Sequence, residues 1–410
     1  MARVFPFQAY RYTAKAGDTA NLVTQPYDKI YPAMRDRYLA ASPYNLVRIV
    51  LGEAHPDDSE SDNVYTRAAD YLNRWIAEGV LAQDAEPSLF AYFQEFEVPG
   101  TGEWVMRKGL IALGALEAYA NGVIYRHEQT LSGPKKDRME LLRHTRAHLE
   151  QLFLMYQDPD GAVDRILDEA AAGQPELVVT DEYGARHSLW RLSDAAAIAR
   201  IQMLMSDKKL IIADGHHRYE TALAFSQEHA DLPGADRVVM TLVNMHSPGL
   251  RILATHRVMS GLAGFDLDAF LARVEGFAVR ELASLSDLKR AWEEGEGRVI
   301  IGVASGRKLY TLDGGPTAGR LDVSVLHEAL IHGALGVTAE EVREQKNIHY
   351  VRGLDAAYDE VRSGAAQIGF LLKATSLDQV AEVSFGGGVM PQKSTDFYPK
   401  LLSGLTVYRF

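Results

Sequence analysis

Five consecutive residues carry the densest chemistry in this chain: Asp214-Gly215-His216-His217-Arg218. An apolar run, Lys209 to Ala213, reads as a short strand. Asp214-Gly215 breaks it, and His216 to His229 continues with helical spacing. The first turn of a helix has unpaired backbone N–H groups and a partial positive charge. A phosphate or carboxylate binds well there. His216, His217 and Arg218 add donors at the same place, and a guanidinium grips phosphate with two parallel hydrogen bonds. Gly215 permits the tight turn. Asp214 has three open roles: metal ligand, orienter of a histidine, or helix cap. Capping and dipole effects of about 1 kcal/mol each account for Asp214 but not for the His-His-Arg run. The segment therefore reads as an anion-binding, phosphate-handling turn.

A second cluster spans residues 126–138. Arg126, His127, Lys135, Lys136 and Arg138 surround one carboxylate, Glu128, with a Gly133-Pro134 break among them. A Glu beside cations stays ionised. Such a carboxylate can accept a hydroxyl proton, a contribution of roughly 10²–10⁴ in rate. The flanking cations would balance a phosphoryl donor. The bland alternative is a loop with surface ion pairs of about 0–1 kcal/mol each. Tyr27 and Asp28 lie in a turn-rich stretch and are candidates for a pocket wall. Lys393-Ser394-Thr395 follows a glycine run and offers a backbone nest for an anion, without P-loop spacing. His327-Glu328 and His332 lack the spacing of a zinc helix and read as helix residues.

The elements that must position these groups are mixed. Helical spacing predicts helices at Asn63–Glu78, Asp137–Tyr156, Val163–Ala172 and Asp194–Met205. Phe90–Val98 and Lys108–Leu116 read as a hairpin. Further strands are expected at Glu176–Thr180, Ala185–Leu192, Val238–Asn244 and Arg298–Val303. Glu53 to Asn63 reads as an acidic surface loop, and His187, Trp190, Leu401 and Leu402 as packing residues. The pattern is α+β (mixed α/β) rather than a regular βαβ repeat.

The 410 residues suit two or three domains. With 43 basic and 55 acidic side chains the net charge is −12, which argues against nucleic acid as a partner. No apolar window approaches the length of a membrane span. The absence of cysteine excludes disulfides and thiolate chemistry. A cytoplasmic protein acting on a small molecule is expected. Oligomeric state is not readable.

Several motifs resemble those of a large prokaryotic family (domain of unknown function 1015). They are Ile211 to Ala222, Gln25-Pro26-Tyr27-Asp28, Ser42-Pro43-Tyr44-Asn45, Arg126 to Thr130, Leu321 to Glu328 and Met390 to Thr395. More distantly, the Asp-Gly-His-His-Arg turn is similar to that of the ParB-like fold, which includes the free serine kinases. In those kinases a His-Glu pair precedes the turn and its Glu is the catalytic base; His127-Glu128 matches that pair. The resemblance implies a ParB-like core at 121–260 with an insertion at about 160–205. It further implies additional α/β regions at 1–120 and 261–410. The implied activity is phosphorylation of a small hydroxyl metabolite, free L-serine foremost, or the reverse. The donor would be pyrophosphate or a nucleotide, with Mg²⁺. Glu128, Asp214 and His216 would be catalytic. Gly215, His217, Arg218, Arg126, Lys135, Lys136 and Arg138 would bind phosphate. His127, Tyr27 and Asp28 would contact substrate, and Asp214 would hold metal. A metal-dependent phosphatase and a non-enzymatic nucleotide-binding regulator are the alternatives.

Overall fold

The computed structural model describes residues 1–128, 130 and 132–410, with Ser132 described in its backbone alone. It is a mixed α/β structure with two compact units. Unit 1 comprises residues 1–126, 130–250 and 399–410, and unit 2 comprises 127–129 and 251–398.

Unit 1 is built on nine strands: β1 Val4–Phe5, β2 Leu89–Glu97, β3 Trp104–Ala115, β4 Ile124–Tyr125, β5 Leu152–Tyr156, β6 Leu177–Thr180, β7 Arg186–Leu192, β8 Leu210–Asp214 and β9 Arg237–Asn244. The sheet order is β4-β8-β5-β9-β3-β2-β7-β6, with β1 on β3. The expected hairpin is β2 and β3, in antiparallel register with Phe90 opposite Ile111. Its helices include α1 Val64–Ala77, α2 Ser132–Thr145, α3 Ala162–Ala170, α4 Ala195–Met205 and α5 His216–Glu228. Val163, Ile166, Leu167, Ile198, Ile201, Met205, Tyr219 and Ala222 pack α3, α4 and α5 into one core with Leu110, Leu152, Leu154, Leu210, Ile212 and Leu242 of the sheet. Each such buried aliphatic side chain contributes on the order of 1.5–3 kcal/mol. Residues 160–205 supply β6 and β7 to this sheet and α3 and α4 to the core packed on it.

One expectation fails. The helix read over Asp137–Tyr156 stops at Thr145. Arg146 follows with φ of 52°, and its N–H returns to the Leu142 carbonyl at 2.9 Å, a left-handed helix stop. Leu152 to Tyr156 is instead strand β5, fully buried between β8 and β9. An unbroken apolar run of five fits either a buried strand or a helix segment; burial on both faces of a sheet decides for the strand.

Elsewhere in unit 1, polar side chains of β2 and β3 anchor the C-terminal segment. Gln94 Nε2 donates to the Lys400 carbonyl at 2.9 Å, and Arg107 Nη2 donates to that of Pro399 at 2.5 Å. The Leu402 N–H reaches the Tyr92 hydroxyl at 3.3 Å. These bonds set the position of Lys400.

Unit 2 has a six-stranded antiparallel sheet: β10 Thr255–Met259, β11 Ala278–Leu282, β12 Arg298–Ser305, β13 Lys308–Pro316, β14 Ile348–Arg352 and β15 Ile368–Leu371, in the order β11-β13-β12-β15-β10-β14. Leu288 of helix Leu285–Glu294 and Ala357 and Val361 of helix Leu354–Arg362 pack against Val258, Ala304, Leu309 and Leu371. His327 and His332 lie on a π-helical stretch, Leu326–Ala334.

Candidate active site

Strand β8 delivers Asp214 to the start of α5. A register shift between Ile212 and Asp214 interrupts the pairing with β5 just before the turn; such bulges re-aim side chains. Gly215 then adopts φ of +95°. A Cβ there would stand 2.9 Å from Leu152 Cδ2 and 3.0 Å from Arg218 Nη2, so glycine is required by both backbone and space. Gly215 is the N-cap residue, and among the described residues no side chain caps α5. Asp214 therefore does not cap. Its carboxylate accepts from Arg218 Nη2 at 2.9 Å and from Lys400 Nζ at 3.3 Å. The other arm of Arg218 donates to the Gln151 carbonyl at 2.6 Å.

Further charges gather here. Burial alone would raise the Asp214 pKa, but Lys400, Arg218 and Lys29 outweigh it and hold the group well below the carboxylate range. Burial would lower Arg218, yet Glu150, Asp214, Asp28 and Tyr27 raise it. The Tyr27 hydroxyl is pushed up to about 12, chiefly by burial. Glu150 is buried; it accepts the Tyr27 backbone N–H at 2.9 Å and the Ser403 hydroxyl at 3.2 Å. Arg138 lies 4.0 Å above the Tyr27 ring and 3.8 Å from Glu150. Four cations (Lys29, Arg138, Arg218, Lys400) stand among four carboxylates (Asp28, Asp137, Glu150, Asp214), in a chain of net charge −12. A cavity of about 50 Å³, lined in part by Arg138, Glu150, Arg218 and Thr221, adjoins them and has room for water.

One helical turn further along α5, Glu220 collects the basic residues that the sequence grouped around Glu128. Lys135 Nζ donates to it at 3.0 Å, Thr130 Oγ1 donates at 2.7 Å, and Arg126 lies 3.6 Å away. Burial acts to raise the Glu220 pKa, but Thr130, Lys135 and Arg126 lower it overall. Arg126 also covers the Tyr119 ring. Lys136 is exposed, His217 half-buried and His216 buried.

His127 and Glu128 belong to unit 2, where they are stitched to the 390–397 segment. The Met390 N–H donates to the His127 carbonyl at 2.7 Å, and the buried His127 ring meets Thr395 Oγ1 through Nε2 at 2.8 Å. The Lys393 N–H donates to Glu128 Oε1 at 3.3 Å. Lys393 has φ of 59°. The nest expected at Lys393-Ser394-Thr395 thus already serves one carboxylate, that of Glu128. Gln129 lies outside the described residues.

The fold therefore brings Tyr27, Asp28, Arg138, Asp214, Gly215 and Arg218 together, and separately gathers Arg126 and Lys135 on Glu220. Lys29, Glu150, Gln151 and Lys400 were missed in the sequence. Only Lys29, beside Asp28, had a local signal. As a metal ligand Asp214 fits poorly, because two cations hold its carboxylate. Among the described residues, no three His, Asp or Glu side chains are grouped to hold a metal.

The family described as protein of unknown function (DUF1015) matches residues 4–354. The chain belongs to that family. No curated protein matches it. Among solved structures, a conserved hypothetical protein from Pyrococcus furiosus is 18% identical with a TM-score of 0.36, covering 69% of this chain and 91% of its own. A free serine kinase in complex with AMP is 17% identical with a TM-score of 0.38, covering 69% and 89%. SbnI with C-terminal truncation, from Staphylococcus aureus, is 11% identical with a TM-score of 0.37, covering 72% and 85%. At TM-scores this low, these likenesses carry no argument about chemistry. Among the described residues, no helix is long and apolar enough to cross a membrane.

Proposed function

We propose that this protein is a phosphotransferase acting on the hydroxyl of a small metabolite, free L-serine first, or catalysing the reverse. The observation that supports it is the convergence of Arg218, Lys400 and Lys29 on Asp214 at the uncapped start of α5. Cationic side chains beside helix N–H groups suit the phosphates of a donor. Phosphoryl transfer is mostly positioning and electrostatics, so few other groups are needed.

In this reading the donor is a nucleotide or pyrophosphate, and its phosphates lie against Gly215 to Arg218 and Lys400. His216, His217 and Lys136 are further donors in this assignment, and Arg126 and Lys135 serve if Glu220 yields them. Tyr27, Asp28 and His127 contact the acceptor. Glu128 takes the proton of the acceptor hydroxyl. An O–P bond to the acceptor forms, the donor's P–O bond breaks, and the remainder of the donor leaves as an anion. No step is assigned to Mg²⁺, because Asp214 is already paired with two cations.

The test is an incubation with serine and, in turn, ATP, ADP, CTP and pyrophosphate, with O-phosphoserine measured. Product with at least one donor is expected, and Glu128→Gln should lower its rate by about 10²–10⁴. Absence of product with every donor sinks the reading. Wild-type rates in the Glu128→Gln variant would remove Glu128 as the base.

A further inference from the structure

Unit 2 contains a polar pocket that the phosphotransfer reading does not use. It is lined in part by Thr255, Arg257, Asp322, Lys373, Gln379 and Ser394. The space it offers to water-sized groups is about 20 Å³, within about 350 Å³ that includes open solvent. Asp322 is only 7% exposed, and among the described residues neither carboxylate oxygen has a hydrogen-bond partner within 3.5 Å, although Lys373 and the N–H groups of Ile300 and Asp322 act on it weakly. Lys373 Nζ stands 3.6 Å from Oδ2, beyond hydrogen-bond reach, and donates instead to the Arg298 carbonyl at 2.9 Å. Arg257, 1% exposed, donates through Nη1 to Thr255 and through Nη2 to the Gln392 and Lys393 carbonyls. Its Nε is buried without a partner among the described residues. Gln379 Oε1 is taken by the Ser376 N–H, so that side chain has its amide donors to offer.

Buried polar groups are normally satisfied, and an unmet carboxylate carries a large desolvation cost. This pocket has open donors on Arg257, Lys373 and Gln379, and its open acceptors are the two oxygens of Asp322. A ligand with a donating cation at one end and an accepting anion at the other meets both sets and balances their charges.

We propose that this pocket binds a small zwitterion, its ammonium on Asp322 and its carboxylate on Lys373 and Gln379. The pocket's space for a water-sized group suits an ammonium, and the carboxylate lies toward solvent. Burial pushes the Asp322 carboxyl up to about 6, with Lys373 and the backbone N–H groups of Ile300 and Asp322 only partly offsetting it. An ammonium selects the ionised form, so affinity rises as pH increases through about 6 and is level above. His256 and His327, both near Arg257, are held at about 4 and about 3 by burial and stay neutral through that window. Arg257, lowered to about 10, stays charged.

The test is calorimetric titration of the full chain with glycine, ethylamine and acetate, without any phosphoryl donor. Its outcome is therefore independent of catalysis. Glycine should bind at least tenfold more tightly than either fragment, and more tightly at pH 7.5 than at pH 5. Asp322→Asn should weaken glycine at least tenfold and Gln379→Ala by a smaller factor, with circular dichroism confirming both folds. Acetate binding as well as glycine, with affinity rising as pH falls, would show an anion pocket with a protonated Asp322 and overturn the assignment. No glycine binding by the folded protein would overturn it too, leaving a pocket for water.

Discussion

Replacing Asp214 by Asn keeps the side chain's shape and removes one negative charge from between two cations. The Arg218 and Lys400 side chains are 10% and 8% exposed, and that of Asp214 is 17% exposed. Removing one partner of a buried ion pair costs about 3–5 kcal/mol, because the remaining charge stays buried without its counterion. Two features pull the value toward the lower end. Arg218 keeps the Gln151 carbonyl and the field of Glu150, and Asn still accepts a hydrogen bond. We expect unit 1 to lose about 3 kcal/mol, read from urea unfolding at pH 7. An oxyanion should then replace the lost carboxylate. Inorganic phosphate at ten times its dissociation constant stabilises by about 1.4 kcal/mol, and it should stabilise the Asp214→Asn variant more than the wild type. The Asp214 pKa is depressed in the fold, so the wild-type contribution is complete above the ordinary value of 3.8 and disappears as pH falls below it. The variant should lack that part of the acid loss. A change under about 0.5 kcal/mol would refute the reasoning. Equal stabilisation of both proteins by phosphate would refute the anion-site part of it.

Three other outcomes are expected. Gly215→Ala should cost about 2–4 kcal/mol in urea unfolding, from left-handed backbone and the clash with Leu152 and Arg218. Lys400→Met should weaken inorganic phosphate binding measured by calorimetry, by roughly tenfold for one lost charge in a part-buried site; unchanged affinity would remove Lys400 from the site. His148, buried and lowered by that burial to about 4, is neutral in the fold, so it costs stability as pH falls from 6.5 toward 4, where the unfolded chain takes the proton. The slope of unfolding free energy over that window should flatten in His148→Gln; an unchanged slope would assign the acid sensitivity elsewhere.

Local signals were enough for much of this protein. Lys209 to His229 reads directly as strand, turn and helix, because an apolar run, a glycine and helical periodicity each act over a few residues. The hairpin of β2 and β3 and the helices α1, α3 and α4 were legible for the same reason. Local signals failed at Leu152 to Tyr156, where a continuous apolar run has no period to separate strand from helix. They also misassigned partners. Arg126 and Lys135 are neighbours of Glu128 in sequence, yet they pair with Glu220, because α2 packs beside α5. Nothing near Lys400 in the sequence points to Asp214, which lies 186 residues away. That pairing depends on Gln94, Arg107 and Tyr92 holding the C-terminal segment. The chemistry of the turn was written in residue types at short spacing. The charges that surround it come from chain segments far apart, and only their packing determined which carboxylate each cation would meet.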